Sequence, residues 1–157
     1  MITIPLPGRD WTLELENLLL DLNGTLTTDG QLLEGVKPRV DILKNKLNVY
    51  LLTSDTLGTG AKIAEELDIP FFKVDGLLGG PDKQKFLKSI DADKTAAIGN
   101  GYNDSLMLED AAVSIAVIGN EGSCVQGLLK ADIVVTSIVE ALEMLVNPLR
   151  IIATLRA

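Results

Sequence analysis

The groups able to do chemistry in this chain are acids, amides, hydroxyls and a lysine. They lie in Asp21-Leu22-Asn23-Gly24-Thr25, in Thr53-Ser54-Asp55, in Gly99-Asn100-Gly101-Tyr102-Asn103-Asp104, and at Lys83. There is no histidine, and Cys124 is the one cysteine. Ser-His-Asp triads, Cys-His pairs, His-based metal sites and intrachain disulfides are therefore all excluded. The net charge of −8 argues against a nucleic-acid partner, which needs a basic footprint. The same charge repels phosphorylated molecules at long range, so any phosphate site has to be built locally from a lysine, backbone amides and a bound cation. Each run also has a plain structural reading. Asn23-Gly24 is a strong hairpin turn signal, Thr53 and Ser54 can cap a helix, Lys83 can be a solvated lysine, and Gly99–Asp104 can be a turn that opens a helix.

The elements that would position these groups are legible from the apolar pattern. β-rich runs occur at Asn17–Leu22, Asn48–Thr53, Pro70–Val74, Thr95–Gly99, Val113–Ile118 and Asp132–Thr136. Between them, Val36, Val40, Leu43 and Leu47 sit at helical spacing, as do Ile138, Ala141, Leu142 and Leu145. Residues 57–67, 82–90, 103–111 and 121–130 are shorter helix candidates. Strands alternating with helices predict an α/β fold, a doubly wound, mainly parallel Rossmann-like sheet with helices on both faces. Trp11, Leu13 and Leu15 alternate with polar residues and predict one half-exposed strand added before that sheet. Asn23–Glu34, with its Asn-Gly and Asp-Gly pairs, reads as a compact hairpin-like excursion. In open α/β sheets the ligand crevice lies at the carboxyl ends of the strands, which is where the three polar runs fall.

Taken together and in order, these runs resemble the motifs of the haloacid-dehalogenase superfamily, and within it the phosphorylation domain of P-type ATPases. Asp21-x-Asn-Gly-Thr-Leu is similar to the first motif, Thr53-Ser54-Asp55 to the second, Pro81-Asp82-Lys83 to the lysine segment, and Gly99-Asn-Gly-Tyr-Asn-Asp104 to the fourth. The resemblance extends from about Leu18 to Leu145 and is nearest to small stand-alone proteins of the soluble P-type-ATPase kind. It implies a capless phosphatase with Asp21 as nucleophile and an aspartyl-phosphate intermediate. Asn23, Thr53 and Lys83 would complete the catalytic set. Leu22, Asn23, Gly24, Thr53, Ser54 and Lys83 would hold the phosphoryl oxygens, and Mg²⁺ would be bound by Asp21, the Asn23 carbonyl, Asn100 and Asp104. One ion shared by Asp21 and Asp104 requires the two within about 12 Å of each other.

Two positions depart from the superfamily pattern. Asn23 stands where its phosphatases carry an Asp that serves as general acid and base, and an amide cannot exchange a proton near neutral pH. Such help is worth about 10²–10⁴-fold, so turnover on poor leaving groups should be slow. Asn100 stands where an Asp usually ligates the metal, which removes one formal charge. These departures keep a second reading open, a catalytically degenerate binding or regulatory module.

The 157 residues suit one domain, 1–157, with a single core. The spacings between Asp21, Thr53 and Lys83 leave no room for a cap or a nucleotide domain. The N-terminus lacks a basic leader, and no apolar run reaches the ~18 residues of a membrane span. With one free cysteine, this predicts a soluble cytoplasmic protein with a phosphorylated small molecule or protein as substrate and no membrane partner. Gly58-Thr-Gly-Ala-Lys62 lacks the spacing of a nucleotide loop and reads as a helix start. Leu149, Ile151, Ile152 and Leu155 form an apolar tail, read as a packed last helix or as a contact in a homo-oligomer.

Overall fold

A computed structural model describes all residues, Met1–Ala157. Six parallel strands form the central sheet in the order β10-β9-β8-β3-β6-β7. They are β3 (Asn17–Leu20), β6 (Asn48–Thr53), β7 (Phe71–Lys73), β8 (Thr95–Gly99), β9 (Val113–Val117) and β10 (Ile133–Val135). All six strands expected from the sequence are present, trimmed by at most two residues at an end. β3, β8 and β9 are buried along their whole length, as strands covered on both faces must be.

The chain runs outward from β3 through α1 (Val36–Leu43) to β6, then through α2 (Gly60–Leu67) to β7. It returns across the sheet through α3 (Gly79–Ser89) to β8 on the other side of β3, and continues through α4 (Ser105–Asp110) to β9 and α5 (Val125–Lys130) to β10. The direction of winding reverses around β3. Adjacent loops diverge there and open a crevice at the carboxyl end of β3, which is where Asp21 stands.

Helix starts moved relative to expectation. α3 begins three residues before Asp82, because Pro81 is tolerated in a first turn whose N–H groups have no intrahelical partner. The segment predicted over 103–111 is a 3₁₀ turn at Tyr102–Asp104 followed by α4, and the one over 121–130 begins at Val125. The excursion after Asp21 is a short hairpin, β4 (Thr27–Thr28) and β5 (Gln31–Leu32), turned by Asp29 and Gly30 at φ 51° and 79°.

The N-terminal expectation is corrected. β2 (Trp11–Leu15) does not join the central sheet. It pairs antiparallel with β1 (Ile2–Leu6) in a separate two-stranded ribbon. Ile2, Ile4, Leu6, Leu13 and Leu15 all point into the main core, so the ribbon buries one face without extending the sheet. Pro5, which demotes the segment as a strand, sits on the exposed face. α6 (Ile138–Val146) packs against α1, and the apolar tail forms α7 (Leu149–Leu155) against β1 and α6. Ile151 is fully buried and Ile152 and Leu155 pack partly against the core, whereas Leu149 is exposed. No helix is long and apolar enough to cross a membrane.

Candidate active site

The site begins with a buried lysine. Lys83, on the second turn of α3, has its side chain completely excluded from solvent, and its ammonium donates to Asp21 Oδ1 and to Asp104 Oδ1, both at 2.7 Å. Asp21 and Asp104 therefore share one cation, far inside the separation a common site requires. A buried ammonium is costly without partners, and burial by itself would lower the Lys83 pKa. The two carboxylates more than offset that and hold it above its ordinary value. The Asp21 pKa is also raised, to about 6, first by burial and then by the charge of Asp104. The Lys83 ammonium and the Thr25 hydroxyl oppose this shift.

Local sequence explains how each group reaches this point. Asp21 is the first residue past β3, and its N–H still bonds Ile98 O of β8, so it is clamped to two strands. Gly24 takes φ 77°, and a Cβ there would collide with the Asn100 amide; only glycine lets the loop close on Asn100. Gly99 has an ordinary backbone, but a Cβ on it would strike the Asp104 carboxylate. That glycine lets Asp104 fold back beneath β8, where its Oδ2 accepts from the N–H groups of Asn100 and Gly101 at 3.0 and 2.9 Å.

Thr25, outside the predicted catalytic, phosphate and metal sets, is central. Its Oγ1 lies 2.9 Å from Asp21 Oδ2 and 3.0 Å from Asn100 Oδ1. A hydroxyl has one proton, so it can satisfy only one of these acceptors at a time. Three oxygens thus meet at one corner with a deficit of positive charge. The signal was present in the sequence as a hydroxyl four residues after Asp21, but the turn between them hid that it points back.

This corner is the test of whether a divalent cation fits. No three acidic or cysteine side chains converge as a metal cluster. The oxygens of Asp21 and Asn100 crowd the Thr25 hydroxyl, and the Asn23 carbonyl accepts no hydrogen bond. Hard oxygen donors with net negative charge suit Mg²⁺, so the residues fit it. Asp104 differs from the expected ligand role: both its oxygens are occupied, one by Lys83 and one by two backbone N–H groups. In this arrangement it anchors Lys83 and the loop that carries Asn100.

Thr53 ends β6, beside β3, with its hydroxyl buried and accepting from the Asp55 N–H at 2.9 Å, which leaves its proton free to donate. The Leu22 and Asn23 N–H groups make no hydrogen bond within the protein, whereas Gly24 donates its N–H to Thr27 O at 3.1 Å. Ser54 faces Thr56 at 3.4 Å and bonds none of the central residues. Asn23 Oδ1 is buried without a partner. The largest groove, about 880 Å³, lies beside this cluster and not at it, between Gly79–Pro81, Tyr102–Asn103 and Lys130.

The fold these elements make is that of the haloacid-dehalogenase phosphatases. The 3-deoxy-D-manno-octulosonate 8-phosphate phosphatase of Moraxella catarrhalis, solved with magnesium, phosphate and KDO, matches with a TM-score of 0.71 over 89% of this chain and 92% of that one, at 19% identity. The cobalt-bound phosphatase YrbI of Haemophilus influenzae matches at 0.70 over 85% and 88%, also at 19% identity. A phosphoserine phosphatase in apo form matches at 0.68 over 85% and 99%, at 17% identity. No family model matches the chain. In sequence it is 49% identical over 63 residues to the uncharacterized protein MJ0073 of Methanocaldococcus jannaschii, covering 40% of this chain and 68% of that protein, and it belongs to the same family. A second protein of that organism, MJ0072, also uncharacterized, is 56% identical over 39 residues, covering 25% of this chain and 89% of its own length.

Proposed function

We propose that the protein is a Mg²⁺-dependent phosphohydrolase that works through an aspartyl-phosphate on Asp21 and turns over slowly. The observation that carries this reading is the buried Lys83 bridging Asp21 and Asp104. A fold gains little from two carboxylates and an ammonium in its interior, since well-packed apolar groups of similar volume serve stability as well or better. Such groups at the winding reversal of a sheet point to use.

In this reading the Asp21 carboxylate attacks phosphorus while Lys83 holds it in place through Oδ1. Thr25 orients the attacking carboxylate. The free N–H groups of Leu22 and Asn23, the Thr53 hydroxyl and the Lys83 ammonium supply donors for the phosphoryl oxygens as their charge shifts. Mg²⁺, held by Asp21, Asn100 and the Asn23 carbonyl, would neutralise the approach of two anions. A soluble relative of the P-type ATPase phosphorylation domain, acting on a phosphorylated molecule, is the finer form of the proposal.

The amides at Asn23 and Asn100 favour the second reading, a binding module that does no chemistry. Mass spectrometry after incubation with a phosphoryl donor and Mg²⁺ separates the two. An enzyme gains one phosphoryl group, on Asp21, and Asp21→Asn abolishes both the adduct and turnover. A binding module gains no adduct in either form.

A further inference from the structure

We infer, on the strength of Asp21 as nucleophile, that the phosphoryl donor is an acyl phosphate, a mixed anhydride whose leaving group is a carboxylate, and not a phosphate monoester. The inference comes from which groups around the site can release a proton. Asn23, two residues past Asp21, carries an amide, which has no acidic proton to give, and its oxygen is buried and unpartnered. Lys83 commits its ammonium to two carboxylates and has no solvent exposure. Asp104 is fully buried with both oxygens engaged, and Asp55 is turned toward Gly60, accepting its N–H at 2.8 Å. Glu121 accepts from the Asp29 N–H on the far side of the β4–β5 hairpin. The chain has no histidine. Nothing at the site is arranged to protonate a departing alkoxide.

A carboxylate leaving group needs no such proton. Asp21 forms an O–P bond, the bond between phosphorus and the acyl oxygen breaks, and the acid departs as its carboxylate with the electron pair. One mixed anhydride replaces another, so the step is close to balanced in free energy and in charge. From an alkyl monoester the same step would make a high-energy anhydride from a low-energy ester while expelling an unprotonated alkoxide. Discharge then requires water to attack phosphorus. The bond from Asp21 breaks, the carboxylate is restored, and both protons of the water leave with the phosphate.

The experiment compares acetyl phosphate, glycerol phosphate and ATP as donors, each with Mg²⁺, and reads two quantities. These are the rate of phosphoenzyme formation by mass spectrometry and kcat/KM for phosphate release. The expected result is an acetyl phosphate rate at least about 100-fold above that of glycerol phosphate, matching what general acid help is worth, and also above that of ATP. Asn23→Asp should raise the glycerol phosphate rate by about 10–100-fold and the acetyl phosphate rate by much less, so that the ratio collapses. Phosphoenzyme formation from glycerol phosphate within tenfold of acetyl phosphate, or a preference for ATP, overturns the donor class and leaves Asp21 as nucleophile intact. No adduct from any of the three, or an adduct that survives Asp21→Asn, overturns the nucleophile assignment itself.

Discussion

On one face of the sheet, thirty-one buried apolar side chains from α1, α2, α6, the N-terminal ribbon and the strands form one continuous core, with α7 contributing Ile151. On the other face, seven do, chiefly Leu19, Leu52, Leu87, Met107 and Leu108 under α3 and α4. β3 shows the division residue by residue: Leu18 and Leu20 enter the large core, and Leu19 enters the small one. The thin side also carries the buried Lys83, and the open groove near 880 Å³ lies along it. The contrast teaches where the molecule can tolerate poor packing and buried charge. One face supplies most of the apolar burial, at roughly 25 cal/mol per Å², and the other is left free to hold the site.

The largest expected effect tests the claim that charge on the thin face is balanced and not merely tolerated. Lys83→Met leaves Asp21 and Asp104 buried and facing each other without a cation. It should cost about 3–5 kcal/mol in urea unfolding, or prevent folding at neutral pH. A loss under about 1 kcal/mol would mean that water already reaches the carboxylates.

Next in size is a pair on β3. Leu20→Ala, in the large core, should cost about 4 kcal/mol, and Leu19→Ala about 2, because the thinner side can relax into the space. Equal losses measured at one temperature would break the comparison of the two faces.

A smaller effect concerns pH. Asp21 is raised from the ordinary 3.8 to about 6, so the folded protein holds that proton more tightly than the unfolded chain. The stability this contributes is complete below about pH 4 and is lost as pH rises through 6, on the order of 3 kcal/mol at most. Asp21→Asn removes the titration, so the variant should gain on the wild type between pH 4 and 6 and exceed it slightly at pH 7. Unfolding curves at these pH values that stay parallel for both proteins would refute the shift.

Much of this was legible before any coordinates. The six strands announce themselves because a buried parallel strand has no polar face, and Leu18–Leu20 and Val113–Val117 contain no solvent-facing residue. The three polar runs announce themselves because each directly follows a strand. The N-terminal ribbon was half legible: Ile2, Ile4 and Leu6 alternate, but Pro5 masks the strand, and nothing local says that Trp11–Leu15 will find Ile2–Leu6 in place of the sheet edge. Thr25 and the anchoring role of Asp104 were not legible, because hydrogen-bond direction is a property of side chains in space.

By itself, then, the sequence determined the order of elements, the absence of imidazole chemistry, and the presence of amides at Asn23 and Asn100. These follow from residue type and periodicity, which need no partner across the chain. Only the tertiary structure decided that Lys83, drawn from the return crossover, would lie between Asp21 and Asp104. Bringing together residues 62 and 21 positions apart depends on the winding reversal around β3, and on Gly99, which leaves room for the Asp104 carboxylate. A lysine that in isolation reads as a solvated surface group becomes the buried centre of the site, because two carboxylates were already waiting where the fold delivers it.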